Sequence, residues 1–329
     1  MSHLSAQGPY FDELTLGQEF LTAPPVTLTS GLAAQHRAIV GDRLALALDD
    51  GLAVRVTGRS GLAHPALVWN VAIGQSTVAT HHVKANLFYR GLAFHRFPHL
   101  GDTLVTETIV VGLRKNQRRE GRAASGLAAL HMLTRDQEGR TVLDFHRCAM
   151  LPLQDDIDTG HDDDLSLIGT EARLPEIGRL LDGWDTQGLP GGASPSPGDV
   201  VEVVGGDVVT SAPELARLTL NIAQVHHDAR AAGGRRLVYG GHTIGIAAAQ
   251  LARALPAVVA VTSWESCDHV GPVHEGDTLR SKIEVLDVHP VADHPRLRLA
   301  ELQSQVTVDG EADDRLVLDW RYRALLSVD

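Results

Sequence analysis

The sequence predicts an α+β protein in which one unit, a buried helix laid against a curved antiparallel sheet, is made twice. Three observations carry the prediction. The chain repeats itself: Gly101-Asp102-Thr103-Leu104 recurs as Gly276-Asp277-Thr278-Leu279, and Val142-Leu143-Asp144-Phe145 as Val317-Leu318-Asp319-Trp320, both offset by 175 positions. Ala149 and Leu151 meet Ala324 and Leu326 at the same offset, so about fifty residues align without a gap, the mark of an internal repeat. Each copy also holds one segment that is apolar nearly all round, as a buried helix requires. Each closes on three segments rich in Val, Leu, Ile and Thr separated by turn formers, which suits an antiparallel meander.

Upstream the correspondence continues with a drifting offset: Gly17 to Gly198 and Ser30 to Ser211 at 181, then Asp42 to Asn221 at 179. A one-way drift is what short loop deletions produce. The copies therefore span residues 9–153 and 197–328, joined by a linker over 154–196. Around that linker "LQDDIDTGHDDDLSLIG" is acidic and "GLPGGASPSPGD" is rich in Gly, Pro and Ser. His161 with Asp162, Asp163 and Asp164 reads as a solvated charge run rather than a metal site.

In the second copy Ser211-Ala212-Pro213-Glu214 has the form of a capping box, and Leu215, Leu218 and Ile222 follow at helical spacing. A second helix, "HTIGIAAAQLARAL", runs over about 242–255 and is expected to be buried; its partner covers about 65–80. The strands fall near 103–113, 124–135 and 140–151, then 278–288, 296–308 and 315–327.

Composition narrows the function. A chain of 329 residues accommodates two cores. The formal charge of −12 opposes general affinity for nucleic acid or anionic membrane, both of which draw on a basic surface. No apolar run approaches the roughly 20 residues that span a bilayer, and "MSHLSAQGPYFDEL" lacks the pattern of a signal peptide, so a cytoplasmic protein is expected. Cys148 and Cys267 are too few for a disulfide framework or a zinc site and read as free thiols. No nucleotide-binding glycine motif and no Gly-x-Ser-x-Gly elbow is present.

Chemistry-bearing residues gather in "NIAQVHHDAR" from Asn221 to Arg230 and in "YGGHTIG" from Tyr239 to Gly245. The first N–H groups of a helix lack internal partners and favour negative charge, so a Gly pair opening a helix can stabilise an enolate oxygen developing on a thioester. A neutral imidazole suits proton transfer near pH 7.

With these segments, and with "GDTL" ahead of long strands, the chain resembles the MaoC-like (R)-specific enoyl-CoA hydratases. Its duplication is similar to their double-hotdog branch, and the stretch from Asn221 to Gly245 to mesaconyl-CoA hydratases and uncharacterised actinobacterial double-hotdog proteins. The resemblance covers both copies and omits the linker. It implies a double hotdog fold and reversible hydration of a 2-enoyl-CoA, or dehydration of a 3-hydroxyacyl-CoA, with no cofactor. The acyl group is left open, branched and dicarboxylic chains included.

The family signature pairs an Asp and a His five positions apart around one water. His226 matches the His, whereas Asn221 stands where the family has Asp. An amide cannot take a proton but can orient water, so the general base falls to His226. Gly241 matches the family's oxyanion donor. Asp228 is read as orienting an imidazole or a loop, Tyr239, Gly240 and His242 as flanking the pocket, and Arg235 and Arg236 as candidates for a phosphate or carboxylate. The basic loop "LRKNQRREGR" reads equally as a phosphate contact and as a solvated hairpin tip.

The first copy supplies a contrast. By the drifting offset Ala47 occupies the His226 position and Pro65, which has no N–H, the Gly241 position; that half lacks both base and donor, and His64 is read as structural. Two other functions stay open: a non-catalytic acyl-CoA binding protein, favoured by Asn221, and an acyl-CoA thioesterase. An acyl-CoA thioester is the expected partner. The two units are expected to pair sheet edges as an intramolecular pseudo-dimer, with further self-association left open.

Overall fold

The computed structural model describes residues 8–118, 120–121, 123–171, 176–310 and 313–329; Met1 to Gln7, and Arg119 and Arg122 of the basic loop, lie outside them. The first half runs β1 (Glu19–Phe20), β2 (Val26–Thr27), α1 (Ser30–Val40), α2 (Ala45–Leu48), α3 (Asp50–Thr57), the central α4 (Pro65–Gln75), β3 (Ala85–Phe94), β4 (Thr103–Lys115), β5 (Ser125–Arg135) and β6 (Thr141–Pro152). After a connecting segment with the single turn α5 (Ile177–Leu180) come β7 (Val200–Glu202), β8 (Asp207–Val208), α6 (Ala212–Leu218) and the central α7 (Gly240–Ala254). The second half closes with β9 (Val258–His269), β10 (Thr278–Val291), β11 (His294–Val308) and β12 (Arg315–Ser327).

Every residue of α4 is buried, as its largely apolar sequence favours, with Asn70 and Gln75 the polar exceptions; the amide nitrogens of both are hydrogen-bonded. Along β4, buried Leu104, Thr106, Thr108 and Val110 alternate with half-buried neighbours, so one face of the sheet lies against the core. The order β1-β4-β5-β6-β3-β9-β12-β11-β10-β7 makes one continuous sheet from both halves. β3 and β9 join them antiparallel, with Tyr89 opposite Cys267 and Leu92 opposite Trp264. Adding 175 to Tyr89 gives Trp264 and removing it from Cys267 gives Leu92, so the register maps onto itself like an isologous dimer interface within one chain. Behind this seam α4 packs on α7, and Trp69 meets Trp264 at 5.0 Å and Trp320 at 6.1 Å between ring centroids.

Hydrogen bonds reproduce the repeat. Gln75 Nε2 donates to the Leu104 carbonyl and Gln250 Nε2 to that of Leu279, both 175 apart. Leu28 N bonds Asp102 O as Val209 N bonds Asp277 O, which fits the offset of 181 upstream.

Three expectations change. Each half has four long strands rather than three, because β3 and β9 follow the central helices; β9 is buried on both faces for most of its length and shows no alternation, and β3 is broken by register shifts. The capping box at Ser211 does not form: Ser211 sits at φ 56° without a side-chain cap, and Glu275 accepts the Ala212 N–H at 3.0 Å instead. Ile222 is not on the helix, since α6 stops at Leu218 and the chain turns at Leu220, which has φ 60°.

The connecting segment is more engaged than a solvated linker. Leu165, Leu180, Leu181 and Leu189 are buried. Asp163 accepts the Leu113 N–H at 2.8 Å, and Asp156 pairs with Lys115 and Arg118. These cations of the basic loop therefore face the acidic segment. No helix among the described residues is long and apolar enough to cross a membrane.

Candidate active site

A cavity of about 330 Å³ opens between the halves. The second half lines it with Asn221, His226, Tyr239, Gly240 and His269, and the first with Lys84, Tyr89 and Arg147. Its size is within the range of small-ligand sites.

His226 ends the 3-10 turn Gln224–His226 and is only 9% exposed. Its Nδ1 lies 2.8 Å from the Leu237 carbonyl oxygen. A carbonyl can only accept, so Nδ1 carries the proton and Nε2 keeps a lone pair, the form a general base needs. Burial holds the imidazole down to about 4; the Leu237 hydrogen bond opposes the shift, and His227 and Arg147 add to it. The ring is neutral at pH 7.

Asn221 is buried at 2% exposure beside it. Its Oδ1 accepts the Ala223 N–H at 2.9 Å in an Asx turn. Asp42 makes the same bond to Leu44 N at 2.8 Å, which supports their equivalence. With the oxygen engaged in the turn, Nδ2 is the donor Asn221 can offer to the cavity.

The first half holds this loop in place. Ile222 N donates to Thr77 Oγ1 and Gln224 N to the His81 carbonyl, each at 3.0 Å. A Cβ at Gly74, in α4, would overlap the Thr219 carbonyl oxygen. Gly74→Ala is therefore expected to destabilise the fold by about 1–3 kcal/mol through overpacking and to lower activity by displacing Asn221. Thermal unfolding with parallel rate measurements checks this; an unchanged melting temperature and rate would show that the loop does not depend on the contact.

The helix entrances explain the asymmetry between the halves. Ala63 N bonds Pro98 O as Val238 N bonds Val273 O, so the offset is already 175 before the central helices begin. Pro65 thus corresponds to Gly240, not Gly241, and His64 to Tyr239. In the first half Pro65 lacks an N–H, and His64 Nδ1 accepts the Ala66 N–H at 2.9 Å while its Nε2 lies 2.9 Å from Asp42 Oδ1. In the second half no side chain caps α7, because the Tyr239 hydroxyl donates to the Asn70 carbonyl. Gly240 borders the cavity, and a Cβ there would stand 2.7 Å from His269 Nε2. Gly241 lies beneath, where a Cβ would overlap Asn70 Oδ1, so its glycine serves close packing.

Other expected site residues are not brought to the cavity. Asp228 is exposed and accepts the Arg230 N–H, which makes it a loop residue rather than a partner of His226. Arg235 and Arg236 turn to Glu275 and Asp277 on the surface, where carboxylates already satisfy them. His242 is wholly buried away from the cavity with neither ring nitrogen partnered among the described residues, and burial lowers it to about 4.

Lys84, Arg147 and His269 of the cavity wall escaped the sequence reading, whereas Tyr89, paired with Trp264 at the 175 offset, reads as a core or groove position. The repeat contains a signal for two of them, since at the 175 offset Arg147 stands against Tyr322 and His269 against Phe94. A polar or charged residue whose duplicate is aromatic marks a position where the halves differ in task.

No family model matches the chain. A double-hotdog protein from Mycobacterium tuberculosis is 54% identical to it over 97% of this chain and 98% of its own, with a TM-score of 0.91. The chain belongs to the same double-hotdog family as that protein. It is also similar to the beta-methylmalyl-CoA dehydratase of Chloroflexus aurantiacus, 26% identical over 99% of both chains. The mesaconyl-CoA hydratase of Cereibacter sphaeroides is 27% identical over 97% of this chain and 98% of its own.

Proposed function

We propose that this double-hotdog chain catalyses reversible hydration of a 2-enoyl-CoA, equivalently dehydration of a 3-hydroxyacyl-CoA. The observation that carries the reading is the His226 tautomer: a lone pair at Nε2 lines a cavity that also holds the uncapped entrance of α7. The relatives named for hydration and dehydration of CoA thioesters support it.

Nε2 takes a proton from water as the water oxygen bonds to the β-carbon. The C=C electron pair moves toward the thioester oxygen, giving an enolate that the Gly240 N–H and the α7 dipole stabilise. The imidazolium then returns its proton to the α-carbon. Asn221 Nδ2 donates to the attacking water and leaves its hydrogens for His226. Lys84, exposed at the rim, is placed to meet the coenzyme phosphates. Loss of conjugated-thioester absorbance across straight-chain, branched and dicarboxylic enoyl-CoA substrates tests the reading. Saturable binding without turnover would replace hydration by a binding role, and release of free thiol by thioester hydrolysis.

Asn221→Asp probes the departure from the family pattern. The Asx turn survives, as Asp42 demonstrates in the first half. A carboxylate near His226 favours the imidazolium, so the acid limb of the pH–rate profile is expected to move to higher pH. A superimposable profile would mean that Asn221 is not coupled to the base.

A further inference from the structure

Hydration as proposed draws on one oxyanion donor, the Gly240 N–H, and makes no use of His269. This residue ends β9 and lines the cavity. Its Nε2 is closed off from solvent and has no hydrogen-bond partner among the described residues. Arg147 Nε and Asn86 Oδ1 share that condition on the cavity wall, but His269 Nε2 is the one set against the entrance of α7: a Cβ at Gly240 would stand 2.7 Å from it. Tyr89 of the first half holds the ring edge-on, with 5.9 Å between centroids and 73° between planes. A buried polar atom left unpaired is unfavourable, so the cavity keeps this nitrogen for what enters it.

The fold itself needs only an aromatic ring at this position. Phe94 pairs with Leu143 in the first half as His269 pairs with Leu318 in the second, both partners 175 apart. Phe94 is wholly buried, beside Phe97 and Trp69. Pro65 is the counterpart of Gly240, so the half without a base lacks both N–H groups, that of the helix entrance and that of the ring. The half with His226 has both. Burial, with His226 adding to it, lowers His269 to about 4, and its ring is neutral at pH 7. A neutral imidazole beside a helix N-terminus donates an N–H without setting a positive charge next to the base.

We propose that His269 donates its Nε2 N–H to the thioester oxygen beside the Gly240 N–H, making a two-donor oxyanion site built from β9 and α7. This rests on the hydration reading for the enolate, but polarisation of the carbonyl can be measured without turnover. The ring takes the Nε2–H tautomer when the oxygen enters, and the bond strengthens as the C=C electron pair moves toward that oxygen.

The test is isotope-edited infrared spectroscopy of butyryl-CoA labelled with carbon-13 at the thioester carbonyl; its saturated chain cannot be hydrated. Bound to the wild-type protein, the carbonyl band is expected at lower frequency than in free butyryl-CoA. His269→Phe, which installs the residue of the other half, is expected to return the band part-way to the free position. His269→Gln, whose amide reaches about as far as Nε2, is expected to restore the low frequency. On a hydratable enoyl-CoA, His269→Phe is expected to lose about 10²–10³-fold in kcat, as for one oxyanion donor, with KM within about threefold because the bond strengthens in the transition state. A wild-type band at the free position, or the same band in folded His269→Phe, overturns the assignment. Should His269→Phe fail to fold, His269→Asn, too short to reach the oxygen, takes its place. A low band relieved in His269→Phe, with no enoyl-CoA hydrated by the wild type, leaves the donor standing and removes the hydration reading alone.

Discussion

His226→Ala is expected to lower kcat/KM for enoyl-CoA hydration by about 10²–10⁴-fold, the usual contribution of a positioned acid–base group, while acyl-CoA binding and the folded state persist. The loss falls on kcat, because Nε2 acts on water rather than on the bound thioester. In the wild type the pH–rate profile is expected to be flat from neutrality to about pH 5 and to fall as pH drops through about 4, where the buried imidazole takes up a proton. His36, His242 and His269 are also held low by burial, at about 3, 4 and 4. As pH falls from the ordinary histidine value of 6.5 toward these lowered values, the unfolded chain binds protons that the folded sites refuse, so stability begins to decline at a higher pH than the rate does. Circular dichroism at each pH separates the two effects. His64→Ala is the comparison: it removes the cap of α4 and the partner of Asp42, and so lowers the melting temperature with little direct effect on chemistry. Full activity in His226→Ala, with activity lost in folded His64→Ala, would place the chemistry in the other half.

Gly240→Pro is expected to fall about 10²–10³-fold below Gly240→Ala in kcat, the loss seen when one oxyanion donor is removed. Both variants add a Cβ that presses on His269 Nε2, so the steric change is largely shared. Only proline removes the N–H, and the first helical position tolerates it, as Pro65 does in the other half. The comparison therefore isolates the donor. Equal rates in the two variants would shift oxyanion stabilisation to other groups, with Gly241 N–H the next to test.

Most of the architecture was legible because it is written in patterns that need no distant information. The three closing strands of each half are rich in Val, Leu, Ile and Thr between turn formers, and α4 is apolar apart from Asn70 and Gln75. The Asn221 turn was legible in position but not in geometry. Nothing local shows that Leu220 takes a left-handed conformation or that the Ser211 cap is replaced by Glu275, a residue on the far side of α7 in sequence. β3 and β9 were missed for the complementary reason: strands at the centre of a sheet, covered on both faces, lose the alternation that identifies a strand.

The sequence by itself determined that the unit is duplicated, that each copy is a helix on an antiparallel sheet, and that only the second copy pairs His226 with a glycine-led helix. The tertiary structure decided which atoms face the cavity. The Leu237 carbonyl selects the His226 tautomer, Gly240 rather than Gly241 reaches the cavity, and Arg147 crosses from the first half to line it. The physical reason is common to all three: a proton position, an exposed N–H and a buried charge are set by contacts between separate segments. Residue spacing records the segments, but only their packing brings Ser76, Thr80 and Arg147 to the same wall.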